Sequence, residues 1–403
     1  MSTNKQFYVT LRMKKSKEAD TPSLPPVVIL KENILYLNIK ESVLTILPKL
    51  ELGISDVGGL LEQVPMVDND VITITIAKTK EEEPMLECDF IISDFNADVS
   101  NENKINNINI AGYLHAEDMF VPYRARAFSD NTLNILKTIS EESGQKIKFS
   151  NPHDVNPIDT MYWYQDSNNF DFIKHLVQRS YIPEDTMFSY VNTSNEFVCT
   201  SLFTEMDKQE AYSVMYSHRR ADRFYKGDDI IYYDSYDIQN LQGVYNKKNA
   251  YGSGFVEYNL QGGVNSELPY PRKKMTELYN KDKIYDEMLV FKNSMGATKS
   301  NPNVYENYSR AMTQNTNLRY DFFAQNISIT ADGMSPVKLF DKVNITIPSP
   351  TEGGTGINDV YSGHYLVTDI SHTLTGNSTY RKFLVLSRNG INKSSVKQEY
   401  TVN

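Results

Sequence analysis

A chain of 403 residues is too long for one ordinary domain, and a net charge of −10 argues against a nucleic-acid binder, which needs clustered Lys and Arg to neutralise phosphates. Hydrophobic residues at 40% and charged residues at 23% fit a folded globular protein, and no run approaches the roughly 18 apolar residues of a membrane helix. Met1–Gln6 precede no signal-peptide core, and Cys88 and Cys199 fit neither a disulfide framework nor a zinc knuckle, so synthesis in a reducing cytosol is expected.

Residues 6–118 read as strands. Leu35, Leu37 and Ile39 alternate with polar neighbours, as do Leu50, Leu52 and Ile54, while Ile72, Ile74 and Ile76 face away from Val71, Thr73 and Thr75. Period-two patterning rich in β-branched residues marks half-buried strands. The breaks fall at Pro25-Pro26, Gly58-Gly59, Asp68-Asn69 and Pro84. An antiparallel barrel or sandwich satisfies this pattern.

The period changes after Phe128. Ser129 or Asp130 is placed to cap a helix carrying Leu133, Leu136 and Ile139, stopped by Gly144. A second helix starts near Asn168, with Asp171 three residues on and Phe170, Ile173, Leu176 and Val177 as its apolar stripe. Met161-Tyr162-Trp163-Tyr164 reads as a buried strand between the helices, and strands return at Phe188–Tyr190 and Phe197–Phe203. Beyond Tyr212 the chain is rich in Tyr, Asn and Gly with alternating runs such as Ile230–Tyr233. Lys273 to Phe291 suggests one or two short helices, and Val304, Tyr305, Tyr308 and Met312 another. Clear strands resume at Ile327, with Val343, Ile345 and Ile347, then Tyr365 and Val367, then Phe383–Ser387. The loop Pro348–Asn358 is polar and expected at the surface.

Two stretches share a layout. Ile54-Ser-Asp56 with Gly58, Asp70–Ile76, Phe90–Asp94 and Ile108–Ile110 are echoed by Ile327–Ile329 with Asp332-Gly333, Asp341–Ile347, Tyr365–Asp369 and Phe383–Leu386. Each reads as a strand, an Asp/Gly turn, an Asp-initiated alternating strand, a strand ending in Asp and a final strand. Two similar barrels in one chain are therefore expected.

No motif carries catalytic chemistry. The chain lacks a phosphate-binding GxxxxGK[ST] loop, a GxSxG elbow and an HExxH zinc helix, and Gly252-Ser253-Gly254 is read as a turn. His364 and His372 share a parity in one predicted strand, but eight residues at ~3.3 Å place them ~26 Å apart, too far for one metal. His115, His153, His175 and His218 form no motif, and Asp68-Asn69-Asp70 lacks the glycine and distal Glu of a calcium loop. No catalytic, cofactor-binding or metal residues are assigned, and no enzymatic activity is expected.

Pro48–Leu60 with Asp70–Ile76 resembles the first barrel of the baseplate hub proteins of contractile-tailed bacteriophages, a family shared with related contractile injection machines. Asn131–Gly144, the Trp163 region, Phe170–Leu176 and Phe188–Tyr190 are similar to its middle domain. Leu339–Ile347, Tyr361–His372 and Tyr380–Arg388 are similar to its second barrel. Gly262–Asn317 has no match. The resemblance implies a mainly β fold with α+β parts: two tube-like antiparallel β-barrels, a small α+β domain and an inserted peripheral segment. The divisions are 1–118 for the first barrel, 119–204 for the α+β domain, 205–262 and 318–392 for a split second barrel, 263–317 for the insert and 393–403 for a tail. It further implies a homotrimeric hub in the virion, adapting a six-fold tail tube to a three-fold spike. Its partners would be itself, the tube or tube-initiator protein, a separate central spike protein, baseplate wedge proteins and a tape-measure protein, with DNA only in transit and no membrane insertion. The competing reading is a receptor- or glycan-binding tail protein, favoured by tyrosine richness.

Overall fold

The structure, a computed structural model, describes residues 8–14, 27–29, 31–56, 59, 67, 70–79, 81–99, 106–116, 118–120, 122–149, 161–217, 229–241, 253–258, 264–269, 290–294, 308–349, 356–375 and 379–390. The chain opens with β1 (Tyr8–Lys14), β2 (Val27–Ile29), β3 (Ile34–Ser42), β4 (Lys49–Asp56), β5 (Val71–Ala77), β6 (Leu86–Val99) and β7 (Asn106–Leu114). A mixed region follows: β8 (Arg124–Asp130), α1 (Thr132–Glu142), β9 (Lys146–Phe149), β10 (Met161–Ser167), α2 (Asn169–Arg179), β11 (Met187–Val191), β12 (Glu196–Ser201) and α3 (Leu202–Met206). Next come β13 (Tyr212–Tyr216), β14 (Ile230–Asn240), β15 (Ser253–Tyr258), β16 (Val264–Pro269), β17 (Val290–Ser294) and α4 (Tyr308–Phe322). The chain closes with β18 (Gln325–Asp332), β19 (Lys342–Thr346), β20 (Pro348–Ser349), β21 (Gly356–Ile357), β22 (Gly363–Thr375) and β23 (Thr379–Arg388).

One sheet of 13 strands runs β19-β13-β14-β18-β23-β22-β3-β4-β7-β6-β5-β1-β2. Its first six strands close on themselves, because the start of β22 also pairs with β19 through Val343↔Tyr365. This closed barrel is not wholly antiparallel as expected: β13 runs parallel to both β14 and β19. A parallel pair requires the chain to return to its starting end, which a tight hairpin cannot do. In the N-terminal half seven strands pair in the order β3-β4-β7-β6-β5-β1-β2, and among the described residues no pairing joins β2 to β3.

The repeat read in the sequence is present in the pairing. The run β3-β4-β7-β6-β5 has the same order and directions as β14-β18-β23-β22-β19. Irregularities coincide too. A register shift lies between Ile92 and Asp94 and again between Val367 and Asp369, and another between Ile34 and Tyr36 and again between Tyr233 and Ser235. Asp70 accepts Val67 N–H at 3.0 Å and gives its carbonyl to Ile92 N–H at 2.9 Å; Asp341 accepts Lys338 N–H at 2.7 Å and gives its carbonyl to Val367 N–H at 3.0 Å. A bulge re-aims a strand and fixes its register, so its recurrence argues for two copies of one plan.

Helix α1 is capped by Asn131, not Ser129 or Asp130: its side chain accepts Asn134 N–H at 2.9 Å, while Asp130 accepts the Asn131 amide. Gly144, at φ 68°, ends that helix as expected. Asn168 caps α2 by accepting Asp171 N–H at 2.8 Å. The strand expected to reach Phe203 stops at Ser201, where Asp185 accepts Phe203 N–H and α3 begins. Trp163 is buried but Tyr164 is exposed, so β10 has one buried face rather than two. Ser253 and Gly254 open strand β15 rather than sitting in a turn. Of the helices expected between Lys273 and Phe291, Val290–Phe291 fall in a strand and the rest lies outside the described residues; 350–355 of the polar loop and His153 and His218 lie outside them as well.

The apolar core lies in two clusters. One fills the N-terminal sheet and its contact with α1 and α2 (Leu37, Leu52, Ile74, Phe90, Ile135, Phe172), and the other fills the closed barrel (Val214, Tyr233, Ile327, Val367, Leu386). Phe188, on β11, belongs to the second, so the α+β region packs against the barrel as well as against the N-terminal sheet. Close packing also fixes Gly333. A Cβ there would meet the Tyr380 ring at 2.3 Å, and Tyr380 is buried and hydrogen-bonded. Gly333→Ala is expected to cost about 1–3 kcal/mol in chemical denaturation. Gly53→Ala meets the Tyr36 ring equally closely, but Tyr36 lies at the surface and can swing away, so the cost there should be smaller.

Candidate assembly surface and the buried junction

The two repeats meet where β3 pairs antiparallel with the second half of β22, from Asp369↔Ser42 to Thr375↔Tyr36. Parity directs Glu41 of β3 and His372 of β22 inward, and β23 adds Tyr380 and Lys382; all four are buried. His372 Nε2 lies 3.2 Å from Glu41 Oε1, and Nδ1 lies 2.7 Å from the Tyr380 hydroxyl. Glu41 also accepts the Thr193 amide at 2.8 Å, and Lys382 Nζ donates to the Ser335 carbonyl. Burial pushes the Glu41 carboxyl up, but His372, the Thr193 amide and Lys382 outweigh it and hold the pKa below the usual range. Burial drives His372 down, against the pull of Glu41, and lowers Lys382 to about 8. An ionised Glu41 accepting from a neutral His372, which in turn accepts the Tyr380 proton, satisfies each of these contacts. The group ties both repeats to the α+β region through hydrogen bonds rather than chemistry.

The histidine expectations resolve accordingly. His364 and His372 both lie on β22, but the bulge after Val367 breaks their shared parity: His364 is at the surface against Glu210, and His372 is inside. Among the described residues no group of three His, Cys, Asp or Glu is placed to hold a metal. Cys88 and Cys199 are buried with thiol pKa values raised by burial first, which leaves them inert. His175 sits on α2 with Trp163 edge-on at 6.2 Å, and burial, then the Arg179 charge, lowers its pKa to about 4. In the unfolded chain this ring takes a proton near pH 6.5, so its contribution is intact above that value and is lost as pH falls from 6.5 towards 4. Urea midpoints of His175→Gln should fall less steeply over that window than those of the parent.

What sequence reasoning missed is Glu41, whose only signal was a carboxylate at an inward parity of an otherwise apolar strand. On the outward face around the junction the charges nearly balance, Lys40, Lys49 and Arg381 against Glu51 and Asp369, among Asn, Ser and Thr and the exposed Tyr36 and Phe383 rings. Large apolar side chains at the surface include Leu44, Tyr123, Tyr164, Ile357 and Phe383. Among the described residues no helix is long and apolar enough to cross a membrane.

The mainly β fold, with its residue-matched repeat, closed six-stranded barrel and α+β region, is similar to that of solved phage tail proteins. It is similar to the 43 kDa tail protein of prophage MuSo2 from Shewanella oneidensis, with a TM-score of 0.60 at 11% identity over 95% of this chain and 99% of that one. It is also similar to the tail protein from Neisseria meningitidis MC58, with a TM-score of 0.58 at 10% identity over 97% and 99%. A chain of the half-lidded Francisella PdpA-VgrG complex matches with a TM-score of 0.51 at 8% identity, over 98% of this chain and 60% of that chain. No family model matches, and no curated protein is similar in sequence. The resemblance read from the sequence therefore holds at the level of fold.

Proposed function

We propose that this protein is the structural hub of a phage tail baseplate: a homotrimeric ring joining a six-fold tail tube to a three-fold spike, without catalytic activity. The observation that carries this reading is the repeat, joined edge to edge at β3–β22 into one sheet. Three chains would present six similar units, which a closed head-to-tail ring accommodates. The likeness of fold to two tail proteins and to a chain of a VgrG complex supports both the tail setting and a spike-type partner. In this reading 1–118 and 205–262 with 318–392 are the two tube domains, 119–204 the middle domain, and 263–317 a peripheral insert. The tube, wedge and tape-measure proteins are neighbours, and DNA passes through the ring. A near-neutral face suits that passage, since a wall of Lys and Arg would hold phosphates by counterion release.

Light scattering should give three times the 46.2 kDa subunit mass, and electron micrographs a ring with a central hole. A chain that stays monomeric even with its spike protein would refute the ring. Turnover of peptidoglycan or polysaccharide abolished by one Asp, Glu, Ser or His substitution would refute the non-enzymatic reading.

A further inference from the structure

The repeat supplies a rule that one chain uses only once. In the N-terminal half, β3 is paired on one side with β4 and on the other with the second half of β22. Its counterpart in the barrel is β14, because Leu37 and Ile39 oppose Leu52 and Leu50 as Tyr236 and Ile238 oppose Ile329 and Ile327. The counterpart of β22 is β6, since Asp369 and Ile370 oppose Val385 and Leu384 as Asp94 and Phe95 oppose Ala111 and Ile110. Yet within the chain β13 covers β14 only as far as Tyr233, and β5 covers β6 only from Leu86 to Ile91. Beyond those points no described strand pairs with the outer side of β14 or of β6. Among the described residues, two strand segments thus lack the neighbour that their counterparts have.

We infer that the second half of β6 in one copy pairs antiparallel with the second half of β14 in the next copy, repeating the β3–β22 junction between chains. This rests on the ring proposed above and assigns its residues. The counterparts of Ser371↔Lys40, His372↔Ile39, Thr373↔Asn38 and Leu374↔Leu37 are Asn96↔Gln239, Ala97↔Ile238, Asp98↔Asp237 and Val99↔Tyr236. Burial agrees with this register. Ala97, Ile238 and Tyr236 are each only partly buried in the single chain, whereas Ile39, Leu37 and His372 at the internal junction are closed off. A backbone edge of this kind is a template for another chain, and here the template is the protein's own second copy. One pair in the register is unfavourable. Asp98 opposes Asp237, and like charges directly across a ladder repel.

That pair makes the register testable. Asp237→Lys should promote assembly by about 2–5-fold per junction, and so should Asp98→Lys, as each puts opposite charges across the ladder. The double variant restores like charges and should fall back to the parent. Asp237 is exposed, and the single Asp237→Lys variant therefore tests the register without putting the fold at stake. Independently, Asn96→Cys with Gln239→Cys in one chain should oxidise to covalent dimers and trimers on denaturing gels, since Cys88 and Cys199 are buried. A trimer by light scattering that forms no interchain disulfide, or that ignores the charge cycle, would overturn the pairing and leave the ring standing. A disulfide confined within single chains would also overturn it. A monomer under every condition would remove the ring and the pairing together.

Discussion

Glu41→Ala is expected to lower folding stability by about 3–5 kcal/mol, because it leaves the other members of a buried, hydrogen-bonded group without their anion. His372 loses the acceptor at 3.2 Å, the Thr193 amide loses its partner at 2.8 Å, and Lys382 loses the first of the carboxylates that favour its buried charge while keeping the Ser335 carbonyl. Guanidinium unfolding of the parent and variant measures the loss. Glu41→Gln retains an acceptor for Thr193 and His372 and should lose less. Equal stability of parent and Ala variant would mean that the junction is held by strand pairing alone. Burial without partners carries the cost here, so Leu at position 41, lacking polar atoms, would not rescue Lys382.

Phe188→Ala is the second large effect, at about 3–5 kcal/mol for an aromatic removed from a closed core. Its ring centre lies 5.2 Å from that of Phe340 and 6.3 Å from that of Phe323, and the Arg319 guanidinium sits 5.1 Å above it. These partners come from different parts of the chain, so the loss should loosen the α+β region from the barrel. Thermal unfolding followed separately by far- and near-UV dichroism would detect it as a transition broader than the parent's.

The strand content was legible because most strands bury one face: Leu37 and Ile39, Ile72 to Ile76, and Ile327 to Ile329 announce themselves by alternation. The repeat was legible because Asp70 and Asp341 perform the same turn, and turn chemistry is local. The parallel placement of β13 was not, since Tyr212–Tyr216 carries no mark of which strands it joins. The Asn131 cap was missed because three adjacent residues, Ser129, Asp130 and Asn131, can all cap a helix, and only the backbone angle chooses. The junction was hidden for a different reason. In sequence His372 shares a parity with His364, and the bulge after Val367 that turns one of them inward leaves no trace in residue spacing.

The joining of β3 to β22 also sets a schedule for the nascent chain. Glu41 and His372 are 331 residues apart in sequence, so at about 5–20 residues per second of synthesis the edge of β3 waits on the order of 20–60 s for its partner. The strands up to β7 can pair among themselves long before that, while the barrel cannot close until β19 and β22 have emerged. Until β22 arrives, the Glu41 carboxylate sits on an unpaired strand edge, and a charge in that position discourages pairing with the wrong strand. The same residue that anchors the finished junction therefore guards it while the junction is still half made.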